Sequence, residues 1–205
     1  MKALVKKSVQ KMTGYTPGEQ PPEGRFVKLN TNENPYPPSP KVFKALAGQD
    51  AGRLRLYPNP VCSALRERIA RIHKCRVSQV FVGNGSDEIL ALCTKAFVED
   101  NGSIGYFEPS YSLYPVLADI RDVAKKPVEL DAEFRRRMPA GYRASLFLMT
   151  YPNAPTGLLY PPAVVRAFCR RFPGVVVIDE AYVDFARTNC MALACTLPNV
   201  LVMRT

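Results

Sequence analysis

The 205-residue sequence lacks tryptophan, has a single histidine and contains no long apolar run. With His73 as the lone histidine, neither a histidine-based catalytic triad nor a multi-histidine metal site is expected. No segment approaches the roughly 20 apolar residues that span a bilayer, and the lysine-containing N-terminus has no hydrophobic stretch typical of a signal peptide. We therefore expect a soluble, cytoplasmic protein with no metal and no membrane partner.

The spacing signatures of several common sites are also missing. The six cysteines include no C-x-x-C pair, so they indicate no zinc or redox site, and reduced, mostly buried thiols are expected. The sequence contains no Walker A motif and no dinucleotide-binding glycine fingerprint. These absences argue against the most common nucleotide-binding loops.

The composition is otherwise that of a globular protein with a strong positive charge. Lysine and arginine number 28 against 18 acidic residues, which gives a net charge of +10. Such a charge suits an anionic small molecule or a nucleic acid. Because the basic residues are scattered and form no zinc-finger, helix-turn-helix or ribonucleoprotein motif, we favour the small molecule. A basic nucleic-acid-binding domain is kept as a third alternative.

Hydrophobic patterning predicts an α/β fold that follows an extended, proline-rich arm at residues 14–40. Nearly continuous runs of Val, Ile, Leu and Phe alternate with amphipathic helices, which is typical of a mostly parallel sheet with helices on both faces. We predict strands at residues 80–85, 103–109, 123–128, 144–152, 175–182 and 199–205. The predicted helices cover residues 41–48, 63–74, 86–100, 113–120 and 161–172.

In such a sheet, ligands bind at the carboxyl ends of the strands. At the first predicted strand end, two glycines precede Ser86, which could cap a helix whose N-terminus favours an anion such as phosphate; an ordinary capped helix is the alternative. At the second, Tyr111 and Tyr114 could stack on a flat ligand or pack in the core. At the third, the amide of Asn153 could face a ligand oxygen or simply form a turn.

The fourth strand end is the most informative, because the apolar run at residues 175–178 leads directly into Asp179. A carboxylate at the end of a buried strand needs a partner. A protonated ring nitrogen of a cofactor would supply one, and the carboxylate would keep that nitrogen positive. A magnesium site and a structural hydrogen bond are the alternatives, and the missing Walker A motif argues against the first.

Together, these four segments resemble the fold type I pyridoxal-phosphate aminotransferases. The proline-rich segments YTPGE, LNTNENP and LYPNP, at residues 15–19, 29–35 and 56–60, are similar more narrowly to the histidinol-phosphate aminotransferases. The resemblance covers nearly the whole chain. It implies that residues 1–40 form an N-terminal arm and part of a small domain. Residues 41–205 would then form part of a large domain that binds pyridoxal 5'-phosphate.

The resemblance also implies roles for individual residues. Ser86, Asp87 and Glu88, at a helix start, would hold the cofactor phosphate, and Tyr111 would stack on its ring. Asp179 would pair with the ring nitrogen, and Tyr182 would contact the phenolic oxygen. The remaining implied residues are Asn153 at the phenolic oxygen, Tyr57 at the phosphate of a neighbouring subunit in a homodimer, and Tyr15 and Asn32 in the substrate pocket. The family's asparagine usually stands directly before Pro-Thr-Gly, where this chain has Ala154.

By the same resemblance, the family's Schiff-base lysine would lie beyond Thr205, so no catalytic residue is assigned. We expect a truncated form that, on its own, lacks transaminase activity. The parent enzyme would exchange an amino group between L-histidinol phosphate and 2-oxoglutarate in histidine biosynthesis. The alternatives are an aromatic amino-acid transaminase, a phosphothreonine decarboxylase relative and a non-catalytic fragment.

Overall fold

The computed structural model describes residues 4–12, 27–135 and 138–205. Within them the chain forms two compact units, one made of residues 4–12, 66–135 and 138–205 and the other of residues 27–65. Residues 27–39 contain neither helix nor strand, in keeping with their prolines.

The larger unit is built on a five-stranded sheet in which every pairing is parallel. The strand order is β2-β1-β3-β4-β5. This confirms the predicted parallel α/β fold. The strands are β1 (Ser103–Glu108), β2 (Ala124–Glu129), β3 (Leu146–Thr150), β4 (Val175–Asp179) and β5 (Val200–Met203).

Seven α-helices are present in the described residues, and two of them show clear sequence signals at their ends. Pro161 and Pro162 begin α6, where a fixed φ angle favours the first turn. Asp122 ends α5 in the left-handed conformation, with a φ of 60°. The helices are α1 (Lys7–Gln10), α2 (Pro40–Ala47), α3 (Ser63–His73), α4 (Gly85–Phe97), α5 (Leu113–Arg121), α6 (Pro162–Arg171) and α7 (Met191–Thr196).

Helices cover both faces of the sheet, which produces two hydrophobic cores. Successive strand side chains point to opposite faces, so Phe147 packs with α6 in one core while Leu148 packs with α4 and α5 in the other. Both side chains are fully buried. Each buried side chain of this size contributes about 1.5–3 kcal/mol by its removal from water.

Two sequence predictions differ from the structure. A strand was predicted at residues 80–85, but residues 80–84 form an irregular segment, Gly85 begins α4, and Phe81 is 71% exposed. An apolar run this short, interrupted by glycines, does not by itself fix a strand. Residues 63–74 were predicted as an amphipathic helix with a buried apolar face, but Leu65 and Ile72 of α3 are largely exposed, and the buried residue of this helix is Ala70.

The connections between strands define where a ligand can bind. From β1 the chain passes through α5 to β2, on one side, whereas from β3 it passes through α6 to β4, on the other. The strand order therefore reverses between β1 and β3. In open α/β sheets, the crevice at such a point, outside the carboxyl ends of the strands, is the usual ligand site.

No helix in the described part of the chain is long and apolar enough to cross a bilayer. All six cysteines are free, and Cys93, Cys169 and Cys190 are buried. Across residues 4–12, 27–135 and 138–205, no group of histidine, cysteine and acidic side chains has the arrangement of a metal site.

Candidate functional site

Asp179, the last residue of β4, lies buried at the reversal point, with 4% of its surface exposed. The Tyr114 hydroxyl donates a hydrogen bond to Oδ2 at 2.9 Å, and the Ala181 backbone N–H donates one to Oδ1 at 3.1 Å. Burial raises the pKa of the Asp179 carboxyl, and the two hydrogen bonds only partly offset this effect. A cation beside Asp179 would relieve the cost of keeping the carboxylate ionised.

Tyr114 reaches this carboxylate from α5 and is fully buried. Burial, followed by the nearby Asp179 carboxylate, raises the pKa of Tyr114 well above its ordinary value, so the hydroxyl stays protonated and acts as a donor. The sequence predicted an aromatic ring here but not this hydrogen bond. A buried carboxylate needs a hydrogen-bond donor, and the tyrosines after β1 were the candidate donors that the sequence offered.

Tyr111 links the end of β1 to the first turn of α4. Its hydroxyl donates to Oδ1 of Asp87 at 3.3 Å. Its ring meets the Tyr114 ring edge-on, with the centroids 5.7 Å apart. The structure thus brings together four of the residues singled out in the sequence, Asp87, Tyr111, Tyr114 and Asp179.

The start of α4 forms the second part of the site. The helix begins at Gly85 and its N-cap is Asn84, which makes no side-chain capping hydrogen bond. Ser86 is therefore the second helical residue, and the predicted capping role for it is wrong. An N-terminus without a side-chain cap leaves backbone N–H groups that favour an anion.

Two glycines shape this helix start. At Gly83, an added Cβ would lie 2.7 Å from both Oε2 of Glu88 and Cδ1 of Ile89, so a larger residue does not fit without rearrangement. Gly85 has a φ of +79°, which favours glycine. The hydroxyl of Thr205, after β5, lies 4.0 Å from the Cβ position of Gly85, so the carboxyl end of β5 adjoins the helix start.

Glu88 folds back onto the segment that precedes α4. Its Oε2 accepts hydrogen bonds from the backbone N–H of Asn84, at 2.6 Å, and from the Asn84 side-chain amide, at 3.2 Å. Glu88 thus fixes the chain entering the helix. The predicted contact of Glu88 with a phosphate stays a prediction.

The turn after β3 is held by its own side chains. Asn153 is buried, and its amide nitrogen donates to Oγ1 of Thr150 at 3.2 Å, while its amide oxygen accepts from Oγ1 of Thr156 at 2.7 Å. The Thr150 and Ser110 hydroxyls are hydrogen-bonded at 3.2 Å, which ties the turn to the segment after β1. Of the two uses predicted for Asn153, the structure displays the turn; contact with a cofactor stays a prediction.

Glu180 forms a buried cluster that the sequence did not reveal. Its Oε2 accepts from Nε of Arg204 at 2.9 Å, and the backbone N–H of Cys190 donates to its Oε1. The rule that a buried carboxylate needs a partner could have suggested this contact, because Glu180 also follows the apolar run of β4.

A comparison with known protein families identifies the family of this chain. The sequence model described as Aminotransferase class I and II matches residues 25–205. The chain belongs to this aminotransferase family.

Among curated relatives, the chain is 41% identical to the histidinol-phosphate aminotransferase of Syntrophotalea carbinolica over 203 residues, which are 98% of the chain and 58% of the relative. It is 46% identical to histidinol-phosphate aminotransferase 1 of Bradyrhizobium diazoefficiens over 200 residues, which are 96% of the chain and 57% of the relative. The chain therefore spans somewhat more than half the length of these relatives.

Solved structures confirm the predicted fold of a partial type I transferase domain. Histidinol-phosphate aminotransferase from Sinorhizobium meliloti, in complex with pyridoxal-5'-phosphate, matches 85% of the chain and 50% of its own length, with a TM-score of 0.77 and 24% identity. L-threonine-O-3-phosphate decarboxylase from Porphyromonas gingivalis matches 80% of the chain and 51% of its own, with a TM-score of 0.67 and 19% identity. These likenesses concern the fold alone.

Four residues remain to which the resemblance gives a role, namely Tyr182, Tyr57, Asn32 and Tyr15. Tyr182 is half-buried and precedes a short 3-10 helix. In the smaller unit, Tyr57 is fully exposed and Asn32 is exposed with a φ of 52°. Tyr15 falls outside the described residues. The roles predicted for these residues stay predictions.

Proposed function

We propose that the protein is a pyridoxal-phosphate-dependent transaminase that exchanges an amino group between L-histidinol phosphate and 2-oxoglutarate. The single observation that carries the proposal is the buried Asp179 carboxylate at the point where the strand order reverses. Curated relatives about 40% identical to this chain bear the name histidinol-phosphate aminotransferase. The net charge of +10 suits a phosphorylated substrate.

The donors and acceptors at this edge fit pyridoxal phosphate. A buried carboxylate suits the protonated ring nitrogen, an aromatic side chain suits the ring face, and an uncapped helix start suits the phosphate. The exposed carboxylates of Asp87 and Glu88 disfavour the binding of an anion at the same helix start. Since Glu88 is engaged by Asn84 and Asp87 by Tyr111, both carboxylates are held by neighbouring donors.

We assign Asp179 to the ring nitrogen, Tyr111 to the ring face, Ser86 and the start of α4 to the phosphate, and Tyr182 to the phenolic oxygen. Asn153 keeps its proposed place near that oxygen. When bound, pyridoxal phosphate supplies the electron sink for amino-group transfer. The ionised Asp179 would hold a proton at the ring nitrogen, and its buried position strengthens that interaction by excluding water.

Three further residues keep the roles that the resemblance gives them. We assign Tyr15 and Asn32 to the substrate pocket and Tyr57 to the cofactor phosphate of a second subunit in a homodimer. The full exposure of Tyr57 leaves its hydroxyl available for such a contact. The division into an arm at residues 1–40 and a cofactor-binding domain at residues 41–205 forms part of this proposal.

We further propose that residues 1–205 alone bind the cofactor without turnover. The three residues that follow each of β1, β3 and β4, and the two that follow β5, include no lysine. A lysine at such a position is what the transfer needs as its nucleophile and proton carrier. Purified 205-residue protein should therefore bind pyridoxal phosphate in equilibrium dialysis and give no glutamate-dependent turnover of imidazole-acetol phosphate. Turnover by this chain would contradict the inactive assignment.

Substrate choice is tested in a polypeptide that continues to the length of the curated relatives. We expect turnover with imidazole-acetol phosphate and glutamate, and much weaker turnover with aromatic keto acids. The same preparation, incubated with O-phospho-L-threonine, should release no carbon dioxide. Preference for an aromatic substrate, or decarboxylation of phosphothreonine, would replace the proposed activity by the corresponding alternative.

A further inference from the structure

We propose that Tyr114 is a positioning residue that aligns two parts of the cofactor site at once. Its hydroxyl fixes the carboxylate assigned to the ring nitrogen, and its ring fixes the Tyr111 ring assigned to the cofactor face. The inference rests on the proposed function, because that proposal assigns Asp179 and Tyr111 to the cofactor.

The hydroxyl of Tyr114 controls the orientation of Asp179. The two Asp179 oxygens accept from different donors, Oδ2 from Tyr114 and Oδ1 from the Ala181 backbone. Two donors on two oxygens fix the plane of the carboxylate as well as its position. Because the site is buried, water is poorly placed to replace the hydroxyl if it is removed.

The ring of Tyr114 controls the orientation of Tyr111. The two rings meet edge-on at 84°, and the Tyr106 ring lies 6.2 Å from the Tyr114 ring at 56°. Tyr114 is also part of a helix whose neighbouring residues Leu117 and Ala118 are buried in the same core. Functional groups supported by packed helices keep their geometry better than groups on loops.

The charges around Asp179 make the tyrosine hydroxyl important. Burial raises the pKa of Asp179, and the carboxylate of Asp87, from α4, raises it further. The hydrogen bonds from Tyr114 and the Ala181 backbone act in the opposite direction and favour the ionised form. Among these groups, Tyr114 contributes the side-chain donor that keeps Asp179 able to pair with a protonated ring nitrogen.

The test compares Tyr114→Phe with Tyr106→Phe. Both substitutions remove one hydroxyl from the same hydrophobic core and keep the ring, but only the first removes the donor to Asp179. Without ligand, carbon-13 NMR of the aspartate carboxyls should give a higher Asp179 pKa in Tyr114→Phe and an unchanged one in Tyr106→Phe. An unchanged Asp179 pKa in both variants would overturn the role of the hydroxyl.

The second measurement uses 4-deoxypyridoxine 5'-phosphate labelled with nitrogen-15 in its ring. This probe keeps the ring nitrogen and phosphate but has no aldehyde to react with surface lysines. We expect Tyr114→Phe to raise the dissociation constant about tenfold and to shift the nitrogen signal toward the unprotonated form. Tyr106→Phe should bind within about twofold of the unsubstituted protein, as expected for a change away from the contact.

A third variant, Tyr114→Leu, removes the ring as well and should weaken binding beyond Tyr114→Phe, because Tyr111 then loses its edge contact. If Tyr114→Leu does not fold, the phenylalanine variant alone decides. Binding by all variants with the same constant and the same nitrogen signal would overturn the inference while leaving the proposed function intact. No binding by the unsubstituted protein would overturn the proposed function, and the inference with it.

Discussion

The side chain of Glu180 is completely buried, and its Oε2 accepts a hydrogen bond from Nε of Arg204 at 2.9 Å and lies 2.8 Å from Nη2 of the same arginine. Glu180 follows β4 and Arg204 follows β5, so one ion pair joins the carboxyl ends of two neighbouring strands. The Arg204 side chain is 32% exposed. Water therefore partly solvates the Arg204 charge, whereas the Glu180 carboxylate is stabilised by its protein partners alone.

Arg204→Met should destabilise the fold markedly, because it leaves the buried Glu180 charge without its partner. We expect a loss of about 2–4 kcal/mol in the free energy of unfolding, somewhat below the value for a fully buried pair. Urea denaturation measures the change. Lys125→Met, which breaks the more exposed pair with Asp119, is the control and should cost less than about 1 kcal/mol. Equal losses in the two variants would contradict the structural role of Glu180 and Arg204.

Asp179→Asn should stabilise the cofactor-free protein at neutral pH. The folded-state pKa of Asp179 is raised, so its contribution to stability is highest below the ordinary carboxyl pKa of about 3.9 and falls as the pH rises toward the folded-state value. Asparagine does not titrate, and each unit of pKa shift corresponds to about 1.4 kcal/mol. The variant should therefore gain stability relative to the unsubstituted protein between pH 4 and pH 7 in urea denaturation.

The same Asp179→Asn substitution should weaken binding of pyridoxal phosphate, because no carboxylate then pairs with the ring nitrogen. A stability difference that does not change with pH would show that Asp179 is not the group responsible. Unchanged cofactor affinity would remove Asp179 from the proposed site.

Tyr111→Ala should raise the dissociation constant for pyridoxal phosphate roughly 2–10-fold, since an aromatic contact contributes about 0.5–1.5 kcal/mol. Tyr111→Phe keeps the ring and removes the hydroxyl that donates to Asp87, so its affinity should fall less than that of Tyr111→Ala. Equilibrium dialysis distinguishes the two variants. Equal weakening by both would assign the effect to the hydroxyl instead of the ring.

Phe147→Ala should cost about 3–5 kcal/mol, because it opens a cavity in the core between the sheet and α6. The matched control is Phe185→Ala, since the Phe185 side chain is 81% exposed. That change should alter the free energy of unfolding by less than about 0.5 kcal/mol. Similar urea midpoints for the two variants would contradict the burial pattern described for β3.

The sequence predicted elements best where periodicity and flanking residues agreed. The strands at Leu146–Thr150 and Val175–Asp179 are confirmed because their apolar runs are long enough for a buried strand and are followed by polar or turn residues. The prediction of helix α6 is also confirmed, because prolines mark its first turn in the sequence. The strand predicted at residues 80–85 is wrong because a short apolar run does not show whether a neighbouring strand is available for pairing.

The candidate site was predictable in its residue types but not in its contacts. Asp179 stood out because an acid after a buried strand demands a partner, yet its donor Tyr114 lies 65 residues earlier in the chain. The partner of Glu180 lies 24 residues later, after a different strand. Such pairings depend on strand order, which local patterning does not determine.

The two outer strands of the sheet differ in chemistry. Strand β2 carries Lys125, Lys126 and Pro127, whereas β5 reads Val-Leu-Val-Met. Charged side chains and proline discourage the docking of another backbone along a strand, and an uncharged apolar strand invites it. Growth of this sheet by strand addition, within one polypeptide or between two, is therefore favoured beside β5 and opposed beside β2.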